Sequence, residues 1–336
     1  MLERTMAIPV AVQSASLPTV KTLRPPERLS IVVPCYNEEE VLPETVRRLR
    51  ALLDHLGASG KIDPASQVIF VDDGSRDRTW ELVRNFNAED PRIRGVKLSG
   101  NRGHQTALIA GLFAAEGDAI ASIDADLQDD VGALEAMVDA YRSGCDVVSG
   151  VRRRRDTDTV FKKASAESYY RLLNALGVKV VYNHADYRLL SRRALEALKQ
   201  YSEVNLFLRG IVPLLGYRSA TVYYDRAERF AGESKYPLRK MLALAFDGIT
   251  SFSAMPLRFI AFLGVIVSLL SMAMMFWVLW AKLFTDQALP GWASSVLPVY
   301  FLGGIQLLSI GVLGEYVAKL YFEAKRRPRY FIEESV

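Results

Sequence analysis

From Phe259 to Ala281 the chain carries no charged residue. This stretch constrains the fold more than any other feature, because its 23 residues would span roughly 34 Å as a helix, enough for a hydrocarbon layer of about 30 Å. A second apolar stretch runs from Ser294 to Val317, interrupted only by Glu315, and the connection Lys282–Ala293 contains Pro290 and Gly291. The pair reads as a transmembrane hairpin, with helices at 259–281 and 294–317, rather than as a buried pair in a soluble core. Arg239, Lys240 and Arg258 precede the first span, while Lys319, Lys325, Arg326, Arg327 and Arg329 follow the second. The loop holds Lys282 alone, so the positive-inside rule puts both termini and the large N-terminal portion in the cytoplasm. Small residues along the spans (Gly264 and Ser268 in one, Gly304, Gly311 and Gly314 in the other) allow close helix contact within the hairpin or between protomers, in a dimer or tetramer. Residues 236–258 mix apolar positions at helical spacing with Arg239, Lys240 and Asp247, as in an amphipathic juxtamembrane helix or the last helix of a soluble domain. Residues 318–336 read as a basic cytosolic tail. Residues 1–28, punctuated by Pro9, Pro18, Pro25 and Pro26, read as a flexible tail without a signal-peptide core.

Between these, residues 29–235 read as a separate domain. Short β-branched runs at Ile31–Val33, Val68–Val71, Val96–Leu98, Ala119–Ile123 and Asp146–Ser149 alternate with helix-like segments at Glu39–His55, Arg78–Asn87, Gln105–Ala115 and Val131–Arg142. Such alternation predicts an α/β fold, a mostly parallel sheet with helices on both faces. Ligands of such sheets sit at the carboxyl ends of the strands. No G-x-G-x-x-G follows a strand and no P-loop occurs, which argues against dinucleotide oxidoreductases and P-loop NTPases. A net charge of +4 is too small to argue for nucleic acid as a partner. Cys35 and Cys145 are too few for a disulfide framework and read as buried hydrophobes.

Polar residues fall where the strands end. Asp124 and Asp126, two apart on extended backbone, point to one side and offer hard oxygen ligands to Mg²⁺ or Mn²⁺, with Gln128 two residues on. Asp72-Asp73-Gly74-Ser75 closes another strand. Its carboxylates could accept hydrogen bonds from a nucleobase or ribose, and the same residues suit a helix-capping turn through Ser75 or Asp77; the two readings are compatible.

The ordered set Pro34-x-Tyr36-Asn37-Glu38, Asp72-Asp73-Gly74-Ser75, Asn101-x-Gly103-His104-Gln105, Asp124-Ala125-Asp126-Leu127-Gln128 and Gly232-x-Ser234-Lys235-Tyr236 resembles the family-2 glycosyltransferases of the polyisoprenyl-phosphate type. The resemblance spans about residues 29–333. It implies a glycosyltransferase-A fold and an inverting, metal-dependent transfer of one sugar from a nucleotide-diphosphate sugar to a polyisoprenyl phosphate, at the cytosolic face of the inner or plasma membrane. UDP-glucose is the favoured donor and GDP-mannose the next. By the same resemblance Pro34, Tyr36, Glu38, Asp72 and Asp73 hold the nucleotide, and Asp124, Asp126 and Gln128 surround the metal. Arg229 and Lys235 clamp the donor diphosphate, while Arg152, Lys162 and Lys163 meet the acceptor phosphate. Asp186 is an acidic position that would orient the acceptor or act as a base, and His104 and His184 are further candidates for substrate contact. The run Arg152–Arg155 cannot all face one ligand and also suits a membrane-facing loop. A processive polysaccharide synthase is the competing enzyme reading, but its Gln-x-x-Arg-Trp motif is missing. A catalytically inactive lipid-binding or flipping partner would leave the retained acidic motifs without a purpose.

Overall fold

The structure, a computed structural model, describes residues 12–14, 23–152, 184–203, 208–225, 255–284 and 292–336. The chain divides into two units, one built around the N-terminal sheet and including the last nine residues, the other built from the long C-terminal helices.

The first unit is a nine-stranded sheet in the order β1-β8-β6-β7-β5-β2-β3-β4-β9. The strands are β1 (Val12–Ser14), β2 (Leu29–Cys35), β3 (Gln67–Asp72), β4 (Ile93–Leu98), β5 (Ala119–Ser122), β6 (Val147–Arg152), β7 (His184–Ser191), β8 (Ser219–Tyr224) and β9 (Ile332–Ser335). Strands β8, β6, β5, β2, β3 and β4 run parallel, and β1, β7 and β9 oppose them. Both faces of the central strands are covered, which is why β2 and β3 are buried along their whole length. Ile31 and Val33 pack into a core with α1 (Leu42–Ala58), α2 (Thr79–Glu89) and α4 (Ala133–Arg142). On the opposite face α3 (His104–Ala114) lies so close that a Cβ at Gly111 would stand 2.4 Å from Val32. Helix α5 (Arg192–Lys199) follows β7 and opens on Ser191, whose side chain accepts the Ala194 amide. A short helix α6, Leu208–Leu214, precedes β8. Both cysteines are buried and free, as expected.

Two stretches expected as tails are instead built into this unit. Residues 12–14 pair antiparallel with β8, and Arg24 reaches the buried Asp146 at 3.0 Å while stacking over Tyr141. The expected basic tail likewise ends in β9, an edge strand on β4, where Gly95 and Val336 exchange backbone hydrogen bonds and Trp80 donates its indole N–H to Glu334. Both corrections have one cause: β4 and β8 would otherwise be open edges, with backbone groups in need of partners. Deleting residues 331–336 should therefore lower the unfolding midpoint by about 5 °C or more and promote aggregation through the bared β4. An unchanged midpoint by thermal scanning would contradict this.

In the second unit, α7 spans Met255–Phe284 and α8 spans Trp292–Lys325, each longer than the stretch expected for it. Large apolar side chains such as Phe262, Trp277, Phe301 and Leu307 are exposed along them. Among the described residues one helix, Phe301–Lys325, is long and apolar enough to cross a membrane by length and composition. The expected juxtamembrane helix lies outside the described residues up to residue 254.

Candidate active site

The parallel strands β2, β3 and β5 deliver their acidic ends to one edge of the sheet. At the end of β3, Asp72 and Asp73 act first on the backbone. Asp72 is fully buried; one of its oxygens accepts the Ser75 amide at 3.1 Å, and the other has no partner among the described residues. Burial raises its carboxyl pKa, and hydrogen bonding by Ser75 opposes that rise. Asp73 accepts the amides of Arg102 at 2.7 Å and Gly103 at 2.8 Å, so its carboxylate fixes the loop that opens α3. Gly74 has φ +70°, and a Cβ there would meet the Gly100–Asn101 backbone at 2.8 Å, so only glycine lets the two loops touch. The same turn holds the loop after β2: Ser75 accepts the Asn37 amide, Thr79 the Glu38 amide, and Asn37 the Arg76 amide. The expected cap is met otherwise: α2 opens on Arg78 without a side-chain cap, Ser75 serves the β2 loop instead, and Asp77 accepts the Thr79 amide at 3.1 Å. Asp72, expected at the nucleotide, lies beneath the surface of this turn.

Above the turn opens a pocket of about 180 Å³ lined by Pro34, Tyr36, Glu38, Asp73, Asn101 and His104, among others. Four of the five residues expected at the nucleotide are therefore neighbours. Tyr36 is 41% exposed, leaving its ring open to a flat ligand.

Beyond β5 the chain turns sharply. Thr45 of α1 donates its hydroxyl to the Ala125 carbonyl at 3.0 Å, Asp126 accepts the Gln128 amide at 3.2 Å, and Leu127 sits at φ +55°. A left-handed leucine is strained, and such strain concentrates where a loop must present particular side chains. His104 stands with Nε2 at 3.4 Å from Asp124 and 3.9 Å from Asp186. Burial pushes the Asp124 carboxyl up to about 6; His104 opposes the rise, and the charges of Asp129, Asp186 and Asp126 add to it. Asp186 behaves in the opposite way. Burial alone would raise it, but Arg188 at 2.7 Å and Arg209 at 3.0 Å outweigh burial and hold it at about 2. Arg188 is completely buried, and its Nε and Nη1 have no partner among the described residues.

Among the described residues no three His, Cys, Asp or Glu side chains form a ready-made metal cage. A divalent cation of the Mg²⁺ or Mn²⁺ kind needs only one or two carboxylates when substrate phosphates and water complete its shell. Asp124 and Asp126 supply hard oxygens, and the negative charge crowded around Asp124 is what such a cation would relieve. The donor set fits.

Arg152 ends β6. Its guanidinium lies on the buried Asp129 at 3.0 Å, so part of its charge is already matched inside the protein. Lys162, Lys163, Arg229, Lys235 and Arg153–Arg155 lie outside the described residues, as does the side chain of His184. Sequence reasoning missed Asp129, Arg209 and Tyr224. Asp129 follows directly on the acidic motif, which could have drawn notice; Arg209 and Tyr224 carry no local signal, because only the fold brings them to the site.

A mostly parallel sheet gathers its acidic strand ends beside one pocket, as the glycosyltransferase-A fold expected from the sequence would place them. The model of the family Glycosyl transferase family 2 matches residues 30–199, and the chain belongs to that family; it is a glycosyltransferase. It is 50% identical over 307 residues, 91% of each chain, to the uncharacterized glycosyltransferase YkoT of Bacillus subtilis (strain 168). It is also 38% identical over 312 residues to the SfII prophage-derived bactoprenol glucosyl transferase of Shigella flexneri, covering 92% of this chain and 98% of that one. Among solved structures, mannosyl-3-phosphoglycerate synthase from Rubrobacter xylanophilus is similar at 16% identity with a TM-score of 0.47, over 80% of each chain.

Proposed function

We propose that this enzyme transfers one glucosyl residue, with inversion, from UDP-glucose to a polyisoprenyl phosphate such as undecaprenyl phosphate, at the cytosolic face of a membrane that it crosses through α7 and α8. GDP-mannose is the next donor in order. The observation that carries the reading is the cluster of Asp124, Asp126, Asp186 and His104 beside the Tyr36–Glu38–Asp73 pocket, at the end of the parallel sheet. The near full-length relative whose name specifies bactoprenol supports a lipid acceptor, and the exposed apolar helices supply the means of staying near one.

In this reading Tyr36 stacks on the base, and Pro34, Glu38 and Asp73 shape the nucleotide pocket, with Asp72 as organiser of the turn beneath. Asp126 is the more direct metal ligand, joined by Asp124 and Gln128. When bound, the cation neutralises the leaving diphosphate. Arg229 and Lys235 add positive charge to the same group. Lys162, Lys163 and Arg152 receive the acceptor phosphate and bring two anions within reaction distance. A phosphate oxygen attacks the anomeric carbon as the bond to the diphosphate breaks, and the nucleoside diphosphate leaves with the electron pair. The acceptor phosphate is already ionised at neutral pH, so no strong base is required. Asp186, with both oxygens engaged by arginines and its pKa depressed, orders the site rather than taking a proton.

The test is a panel of radiolabelled UDP- and GDP-sugars incubated with the membrane-bound enzyme, undecaprenyl phosphate and Mg²⁺ or Mn²⁺, followed by organic extraction. Label from UDP-glucose should enter the lipid phase, and EDTA should stop it. Full transfer in EDTA would refute the metal role, and lipid that stays unlabelled by every donor would refute the acceptor.

A further inference from the structure

Asp129 is a buried carboxylate that no step above uses. Its side chain is wholly shielded, and one oxygen collects three donors: the Tyr224 hydroxyl at 2.6 Å and the Arg152 Nη2 and Nε at 3.0 and 3.2 Å. The second oxygen is buried without a partner among the described residues. Arg152 and Tyr224 are register partners at the ends of the parallel strands β6 and β8, and Arg152 Nε also lies 3.2 Å from the Tyr224 hydroxyl. Asp129 itself follows Gln128 in the strained turn that carries Asp124 and Asp126. One oxygen thus joins the acidic turn to two strand ends beyond β7. Burying an ion in this way is costly, and apolar residues of similar volume often serve stability as well or better. Retaining the charge points to a need to place its partner. Arg152 answers to that description: two of its nitrogens are held by Asp129, Nη1 takes no part in the contact, and the side chain remains 27% exposed.

We propose that Asp129, braced by Tyr224, is a positioning residue that holds the Arg152 guanidinium in place to receive the phosphate of the acceptor. The inference rests on the lipid-phosphate acceptor proposed above and adds the device that orients its receptor. Asp129 holds Arg152 and Tyr224, and neither lines the nucleotide pocket of Pro34, Tyr36, Glu38, Asp73, Asn101 and His104, so the acceptor half of the reaction should depend on the contact.

The test compares steady-state kinetics of the wild-type enzyme, Asp129→Asn, Arg152→Lys and the double variant in detergent with undecaprenyl phosphate, varying acceptor and donor separately. Each single variant should raise the acceptor KM about tenfold with the donor KM unchanged, and the double variant should be no worse than the poorer single one. Unchanged donor KM also reports an intact fold. If Asp129→Asn does not fold, Tyr224→Phe, which removes one of the three donors, should raise the acceptor KM by a smaller factor in the same direction. Equal rises in both KM values, unchanged acceptor KM, or losses that multiply in the double variant would overturn the inference while wild-type transfer stands. A wild-type enzyme that transfers nothing to the lipid would instead sink the acceptor reading, and this inference with it.

Discussion

Asp126→Ala is expected to lower transfer by about 10³-fold or more while leaving the unfolding midpoint within a degree or two of the wild type. Asp126 lies in the turn after β5, where its carboxylate accepts the Gln128 amide. That bond is of the ordinary kind, worth about 1 kcal/mol, and the turn has a second anchor in the Thr45–Ala125 hydrogen bond. The fold therefore loses little. In the reaction proposed above, a principal ligand for the cation that would neutralise the departing diphosphate is lost. Normal initial rates in the purified variant would refute the assignment.

Asp124→Asn should be more stable than the wild type and at the same time inactive or nearly so. Burial and three neighbouring acids push Asp124 up to about 6, so at neutral pH its ionised form is held against the preference of its surroundings. A shift of this size corresponds to about 3 kcal/mol, and partial solvent access reduces the expected gain to about 1–2 kcal/mol. The sign follows from linkage. A carboxyl whose folded pKa is raised costs stability as pH climbs from about 4 to about 6, and the full cost is present at pH 7. Removing the charge removes that cost, and in the reading proposed above it removes a metal ligand too. Opposed changes in stability and activity are expected where a site is built for function at the expense of the fold. Thermal scanning at pH 7 without divalent metal is the measurement; a lower midpoint for the asparagine variant would contradict the account.

Much of this architecture was legible in the sequence. The β-branched runs marked five of the six parallel strands because strands buried on both faces read as continuous apolar segments, and the acidic residues after them marked the ligand edge. The strands that escaped notice are the antiparallel β1, β7 and β9 and the parallel β8, which pairs with β6 and with β1. Ile332–Ser335 has no alternation strong enough to identify it, and what makes it a strand is the open edge of β4. The same limit applies to the site. Asp124 and Asp126 were visible because they are two residues apart. Asp186 was visible only through family resemblance, and its clamp by Arg188 and Arg209 depends on β7 lying beside β5. Arg152 was visible through family resemblance and as the start of an arginine run, but the pairing of its charge with Asp129, 23 residues earlier, is a property of the folded chain.

The central claim is that a divalent ion joins the acidic turn to the donor's diphosphate. Calorimetric titration of UDP into the detergent-solubilised enzyme, with and without Mn²⁺, in the wild type and in Asp126→Ala, tests it most directly. Mn²⁺ should tighten UDP binding at least about tenfold in the wild type and leave the variant unchanged. An equal Mn²⁺-dependent gain in both proteins would mean that the metal is held elsewhere.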